Sequence, residues 1–114
     1  SSTEDDEDND HEDVFRLSYK KLIQKAEKEN DYPVAVRLMF LQTLKLLSDT
    51  NSIKYQQDYT NLDYLQQLHE TKFYNEFFKV MRSYEYLLYG KFNISAAHYT
   101  AIKNDFIKLQ YKIT

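Results

Sequence analysis

Side chains able to do chemistry are few in this chain, and their spacing brings none of them together. The histidines are His11, His69 and His98, and none has a second histidine or a carboxylate at metal-ligand spacing on one helical face. Cysteine is absent, which excludes thiolate nucleophiles, thiolate metal sites and disulfides and fits a reducing compartment. No Gly-rich phosphate loop or nucleophile elbow occurs, since the single Gly is Gly90. Serines and threonines fall mainly at expected caps and turns, where they have structural roles. The chain is therefore expected not to be an enzyme and to carry no catalytic, cofactor-binding or metal site.

Two features carry more information. Arg37 lies inside the most apolar stretch, where a guanidinium is costly unless paired. Glu85, flanked by Tyr84, Tyr86, Leu87 and Leu88, is the expected partner in a structural ion pair. Eleven Tyr and seven Phe are the second feature. Aromatics beside basic residues can form stacking platforms, but most of these fall on expected core faces, so packing explains them first. Of the remainder, Tyr55, Tyr59 and Tyr89 are the candidate partner surface, near the linker after the second helix and the Tyr89–Gly90 turn.

The elements that position these residues read as helices. Residues 33–47, PVAVRLMFLQTLKLL, are interrupted only by Arg37, Gln42, Thr43 and Lys45. Val34, Leu38, Leu41 and Leu44 make one stripe, with Val36, Phe40 and Leu47 beside it. A helix so nearly apolar all round is expected at the centre of a bundle, over residues 33–49. A first helix is expected from about Glu12 to Lys28, with Phe15, Tyr19, Leu22, Ile23 and Ala26 inward. Pro33 just inside the next start, with Asp31 or Tyr32 as cap, makes the two an antiparallel hairpin. Residues 50–59 break the period and read as an extended segment. Thr60 with Asp63 three residues on is a capping-box variant opening a third helix, with Leu62, Leu65 and Leu68 inward and Tyr64 at the margin. A fourth helix over about 72–89 uses Phe73, Phe77, Met81, Tyr84 and Leu88, widened by Tyr74, Phe78 and Leu87. Gly90 is expected to end it as a C′ residue. Ser95 caps a fifth, in which Tyr99, Ile102, Phe106, Leu109 and Ile113 keep 3-4-3-4 spacing. The fold class is all-α, a compact bundle of about five helices.

Charge is divided along the chain. Residues 1–13 hold eight acidic side chains and no Lys or Arg, and are expected to be a disordered linker. Residues 14–114, the expected single folded domain, carry 15 basic and 10 acidic side chains, a net of +5. No apolar run reaches the roughly 18–20 residues that span a bilayer, and no signal peptide is expected within these residues. The chain opens on Ser rather than Met and is expected to be a fragment of a longer protein. The second helix, linker and third helix outline a helix-turn-helix, so the alternative function is nucleic-acid binding with the acidic tail as autoinhibitor. Against it, the would-be recognition helix TNLDYLQQLHE has no Lys or Arg to neutralise phosphate.

AVRLMFLQTLKLL, TNLDYLQQL and FFKVMRSYEYLLYG together resemble the bacterial domain of unknown function 4129. The shared pattern is Arg37 in an apolar helix, then Thr60, Asn61, Tyr64, Leu65 and Leu68, then Glu85, Tyr89 and Gly90, within roughly Leu22–Leu109. Leu88 stands where the family often has Trp, and the family's usual linker Gly is missing. The resemblance implies a helical domain without assigned activity at the C-terminus of single-pass bacterial membrane proteins, some with transglutaminase-like domains. It implies a location on the cytoplasmic face of the membrane. The function expected from residues and resemblance together is a non-catalytic protein-interaction module with a protein partner. Thr60 would fix the start of the third helix, and Asn61 would hold the preceding turn through its amide.

Overall fold

A computed structural model describes the backbone of residues 2–90 and 93–114, with side chains from residue 15 onward. The side chains of the acidic stretch expected to be a disordered linker, residues 1–13, lie outside the described residues, while the backbone is helical from Ser2 rather than from about Glu12. The chain forms five helices, α1 (Ser2–Lys28), α2 (Tyr32–Asp49), α3 (Asn61–Gln67), α4 (Tyr74–Gly90) and α5 (Ala96–Ile113), with no strand among the described residues. It is an all-α bundle with α2 at its centre, packed against α1, α4 and α5, while α3 packs on α4.

Local chemistry sets the boundaries. The α1–α2 corner is closed by Asp31 N–H donating to the Ala26 carbonyl (2.8 Å) and Asn30 N–H to Glu27 (3.1 Å). Asn30 sits at φ 57°, which makes this a Schellman stop. Asp31 then caps α2, its carboxylate accepting from Val34 N–H at 3.4 Å, and Pro33 lies in the first turn. The end of α2 repeats the device. Ser52 N–H reaches the Leu47 carbonyl (2.8 Å), with Asn51 at φ 59°. In a chain with one glycine, asparagine supplies the left-handed position at both of these stops, because its short polar side chain tolerates it; Glu70, after α3, takes a third at φ 67°.

Gly90 has a different place from the one expected. It is the last residue of α4 and has no positive φ. The capping box does form: Thr60 Oγ1 accepts from Asp63 N–H (3.2 Å), and Asp63 Oδ2 accepts from Thr60 N–H (2.7 Å). Thr60→Ala is expected to cost about 1 kcal/mol in urea unfolding, a normal cap loss. Residues 50–60 between α2 and α3 contain no helix.

Phe40, Phe77, Phe106, Leu47, Leu68 and Leu109 are the largest fully buried apolar side chains. Phe40 lies flat on Tyr84 (centroids 4.5 Å, planes 3° apart) and tilted against Phe77 (5.7 Å). All five expected inward positions of α5 are buried. Three helices correct the sequence expectation. Leu62 is exposed and Tyr64 buried, because α3 turns Tyr64, Leu65 and Leu68 inward. Leu88 is exposed and Val80 takes a core place, since α4 buries Phe77, Val80, Met81 and Leu87. Leu22 is also exposed, α1 burying Ile23 and Ala26 instead.

Candidate functional site

The helix expected to be apolar all round is not covered all round. α2 turns Ala35, Val36, Met39, Phe40, Thr43, Leu44 and Leu47 into the core. α1 and α4 both lie on α2 without approaching one another. Val34, Arg37 and Leu41, spaced i, i+3, i+7 and hence on one helical face, are left facing water. Val34 is 42% and Leu41 37% exposed, and Arg37 is exposed.

A groove lies at each end of this strip. Pro33, Val34 and Arg37 face Tyr84, Leu87 and Leu88 of α4 around about 180 Å³. Leu41, Leu44 and Lys45 face Phe15 and Tyr19 of α1 and Tyr55 of the linker around about 320 Å³. The second groove has ordered walls. Phe15 packs on Tyr19 (4.3 Å), and the Lys45 ammonium sits 4.8 Å from the Phe15 ring centroid while paired with Asp49 at 2.9 Å. The strip thus sets two apolar side chains and one guanidinium together in water.

The structure does not bring Arg37 and Glu85 together as an ion pair among the described residues. Arg37 lies about 100° round the helix from Val36, outside the core, so no desolvation demands a partner. Half-buried Glu85 instead accepts from the Asn61 side-chain amide at 3.4 Å. Asn61 thus ties the start of α3 to α4 rather than holding the preceding turn. Tyr64 donates its hydroxyl to the Gln56 carbonyl at 2.8 Å, pinning the linker. Burial is the main cause that pushes its phenol above the ordinary range.

Of the three candidate surface tyrosines, Tyr55 and Tyr59 gather on Tyr64, one stacked at 5.8 Å and one edge-on at 6.0 Å. Tyr55 is 55% exposed, and Tyr59 is half-buried. Tyr89 is 77% exposed on the last turn of α4.

His69 and His98 are both exposed; His69 stands edge-on to Tyr74 at 5.7 Å, and His98 donates its backbone N–H to the Ser95 cap. His11 lies outside the described side chains. Among the described residues no three His, Cys, Asp or Glu side chains gather as metal ligands.

Two polar clusters are internal ties. Gln110 Nε2 donates to Gln42 Oε1 (3.1 Å) and Thr43 Oγ1 (3.0 Å), while buried Thr43 donates to the Met39 carbonyl (2.8 Å), joining α5 to α2. In sequence, Gln42 and Thr43 read only as interruptions of an apolar run; a distant glutamine gives them their purpose.

The second cluster joins α5 to α1. Glu27 Oε2 accepts from the Tyr99 hydroxyl and the Lys103 ammonium, each at 2.6 Å, and Tyr99 stacks on Tyr32 at 4.5 Å. Partial burial pushes the Glu27 carboxyl up, but the bonds from Lys103 and Tyr99 outweigh it and hold it below the ordinary carboxylate range. Burial and the Glu27 carboxylate raise the Tyr99 phenol far above its usual value. Glu27→Gln is expected to cost about 1–2 kcal/mol at neutral pH, discounted for partial exposure. The gap should close as pH falls through the lowered Glu27 pKa, because the native carboxylate is then protonated too. Urea midpoints at pH 7 and pH 3 check both.

Fold and surface together define a small all-α domain with an uncovered apolar strip on its central helix. No protein-family model, curated protein or solved structure matches the chain.

Proposed function

We propose that this domain is a non-catalytic protein-interaction module whose docking surface is the Val34–Arg37–Leu41 strip with its two flanking grooves. The observation that carries the proposal is that the most apolar helix of the fold leaves an apolar face in water. The i, i+3, i+7 spacing and the groove at each end suit an amphipathic partner helix laid along the strip. Its acidic side chain would face Arg37, whose planar fork matches a carboxylate. The order and spacing of Arg37, the Thr60–Leu68 segment and Glu85–Gly90 support reading the chain as similar to domain of unknown function 4129. On that reading it is the cytoplasmic part of a bacterial membrane-anchored protein. No helix among the described residues is long and apolar enough to cross a membrane, so the anchor would lie outside them.

The helix-turn-helix alternative has less support. α3 is seven residues long and contains neither Lys nor Arg, so it offers no phosphate contact in a groove.

Affinity capture from native extract and solubilised membranes, with the wild-type chain and Leu41→Asp as baits, tests the proposal. A discrete protein held by wild type at moderate salt and lost with Leu41→Asp is expected. Equal retention by both baits, or recovery of nucleic acid alone that falls with salt, would overturn it.

A further inference from the structure

We propose that the groove between α4 and α5 binds a phosphate monoester carried on an aromatic body. It lies apart from the α2 strip and shares no residue with either of the strip's grooves. On α4, Phe78, Arg82 and Tyr86 recur at i, i+4, i+8 and so share one face. Lys79 and Ser83 stand beside them, and His98 and buried Ile102 of α5 close the other side. The space between is about 410 Å³, within the roughly 300–1,000 Å³ typical of small-ligand sites.

Charge selects an anion. Residues 77–104 hold one carboxylate, Glu85, against Lys79, Arg82, Lys91 and Lys103. Glu85 is engaged by Asn61 of α3, and Glu76, the other acid of α4, by Lys112. Asp105, the one acid of α5, reaches Lys79 at 3.4 Å and leaves that side chain 68% exposed. Arg82 is in no ion pair among the described residues, and its guanidinium lies 5.7 Å from the centre of the Phe78 ring. That contact holds the fork in the groove without consuming its N–H donors.

The donor set selects the group. A carboxylate offers two oxygens and is satisfied by one guanidinium. A phosphate monoester brings nearly two negative charges and three acceptor oxygens. The Arg82 fork, the His98 imidazole and the Ser83 hydroxyl supply three kinds of donor for them, and Lys79 adds charge. Phe78 and Tyr86, 40% and 48% exposed, flank Arg82 one turn to either side, where an aromatic body would lie. A phosphotyrosine side chain and a free nucleoside monophosphate share this chemistry.

Amide chemical shifts of the full chain, titrated with phenyl phosphate, test the site. At ~150 mM salt they should move saturably around residues 78–86 and 95–102, with half-saturation below ~1 mM. Inorganic phosphate should bind about 10-fold more weakly, for want of the ring. Arg82→Gln should weaken phenyl phosphate at least about 10-fold, as loss of a charge-assisted bond does. Arg82 is exposed, so this variant should keep its helicity by circular dichroism. Lys108→Gln, which removes an exposed cation of α5 outside the groove, should bind as wild type does. A phosphotyrosine peptide and adenosine monophosphate separate the two sources, and tighter binding of either than of phenyl phosphate supports the site and names the source. Absence of saturable shifts at ~10 mM phenyl phosphate overturns the proposal. Arg82→Gln binding no more weakly than Lys108→Gln, or inorganic phosphate binding as tightly as phenyl phosphate, also overturns it.

Discussion

Phe40→Ala is expected to destabilise the domain by about 3–5 kcal/mol, the usual range for truncating a fully buried phenylalanine. Phe40 is 2% exposed and packs between Tyr84 and Phe77 of α4. Its loss opens a cavity where α2 meets α4, and the buried Val36, Leu44 and Leu47 of the same helix leave little freedom to collapse into it. Domains of this size hold about 5–15 kcal/mol in total, so the variant should be largely unfolded near 37 °C. Urea unfolding followed by circular dichroism measures the loss. A change under about 1 kcal/mol would mean that the core is not centred on this ring.

The second large effect falls on binding rather than stability. Arg37→Glu should weaken capture of the proposed partner at least about 100-fold, since it replaces a charge-assisted contact with repulsion at the middle of the strip. The same residue is exposed and makes no ion pair among the described residues, so Arg37→Met should leave the thermal midpoint within about 1 °C. A midpoint fall of several degrees in Arg37→Met, with capture unaffected by Arg37→Glu, would return Arg37 to a structural role.

The helices were legible because their periods, caps and stops agree. α5 is the clearest case: five residues at 3-4-3-4 spacing behind Ser95 all lie in the core. Errors arose where a face rather than an element had to be chosen. Leu62 and Tyr64 are both suitable core residues by type, and only the seat of α3 on α4 settles that the tyrosine goes in. Glycine favours positive φ, which makes Gly90 an expected helix stop, yet positive φ falls on Asn30, Asn51 and Glu70 instead.

Apolarity all round α2 was plain in the sequence, but composition cannot say which side neighbouring helices will leave open. That depends on α1 and α4 failing to meet, a property of the whole bundle. The same limit explains Arg37. A guanidinium is costly inside a buried helix, and its actual position beside exposed Val34 and Leu41 removes the need for Glu85.

The most direct test of the strip is site-specific photo-crosslinking in the native cell. A photoreactive side chain would replace Leu41 in one variant of the full chain and exposed Ile107, on α5, in another. One discrete crosslinked protein from position 41, absent from position 107 and lost when Arg37→Glu is added, is the predicted result. Equal crosslinking from both positions, or adducts at 41 that persist with Arg37→Glu, would contradict the claim that this strip is the docking surface.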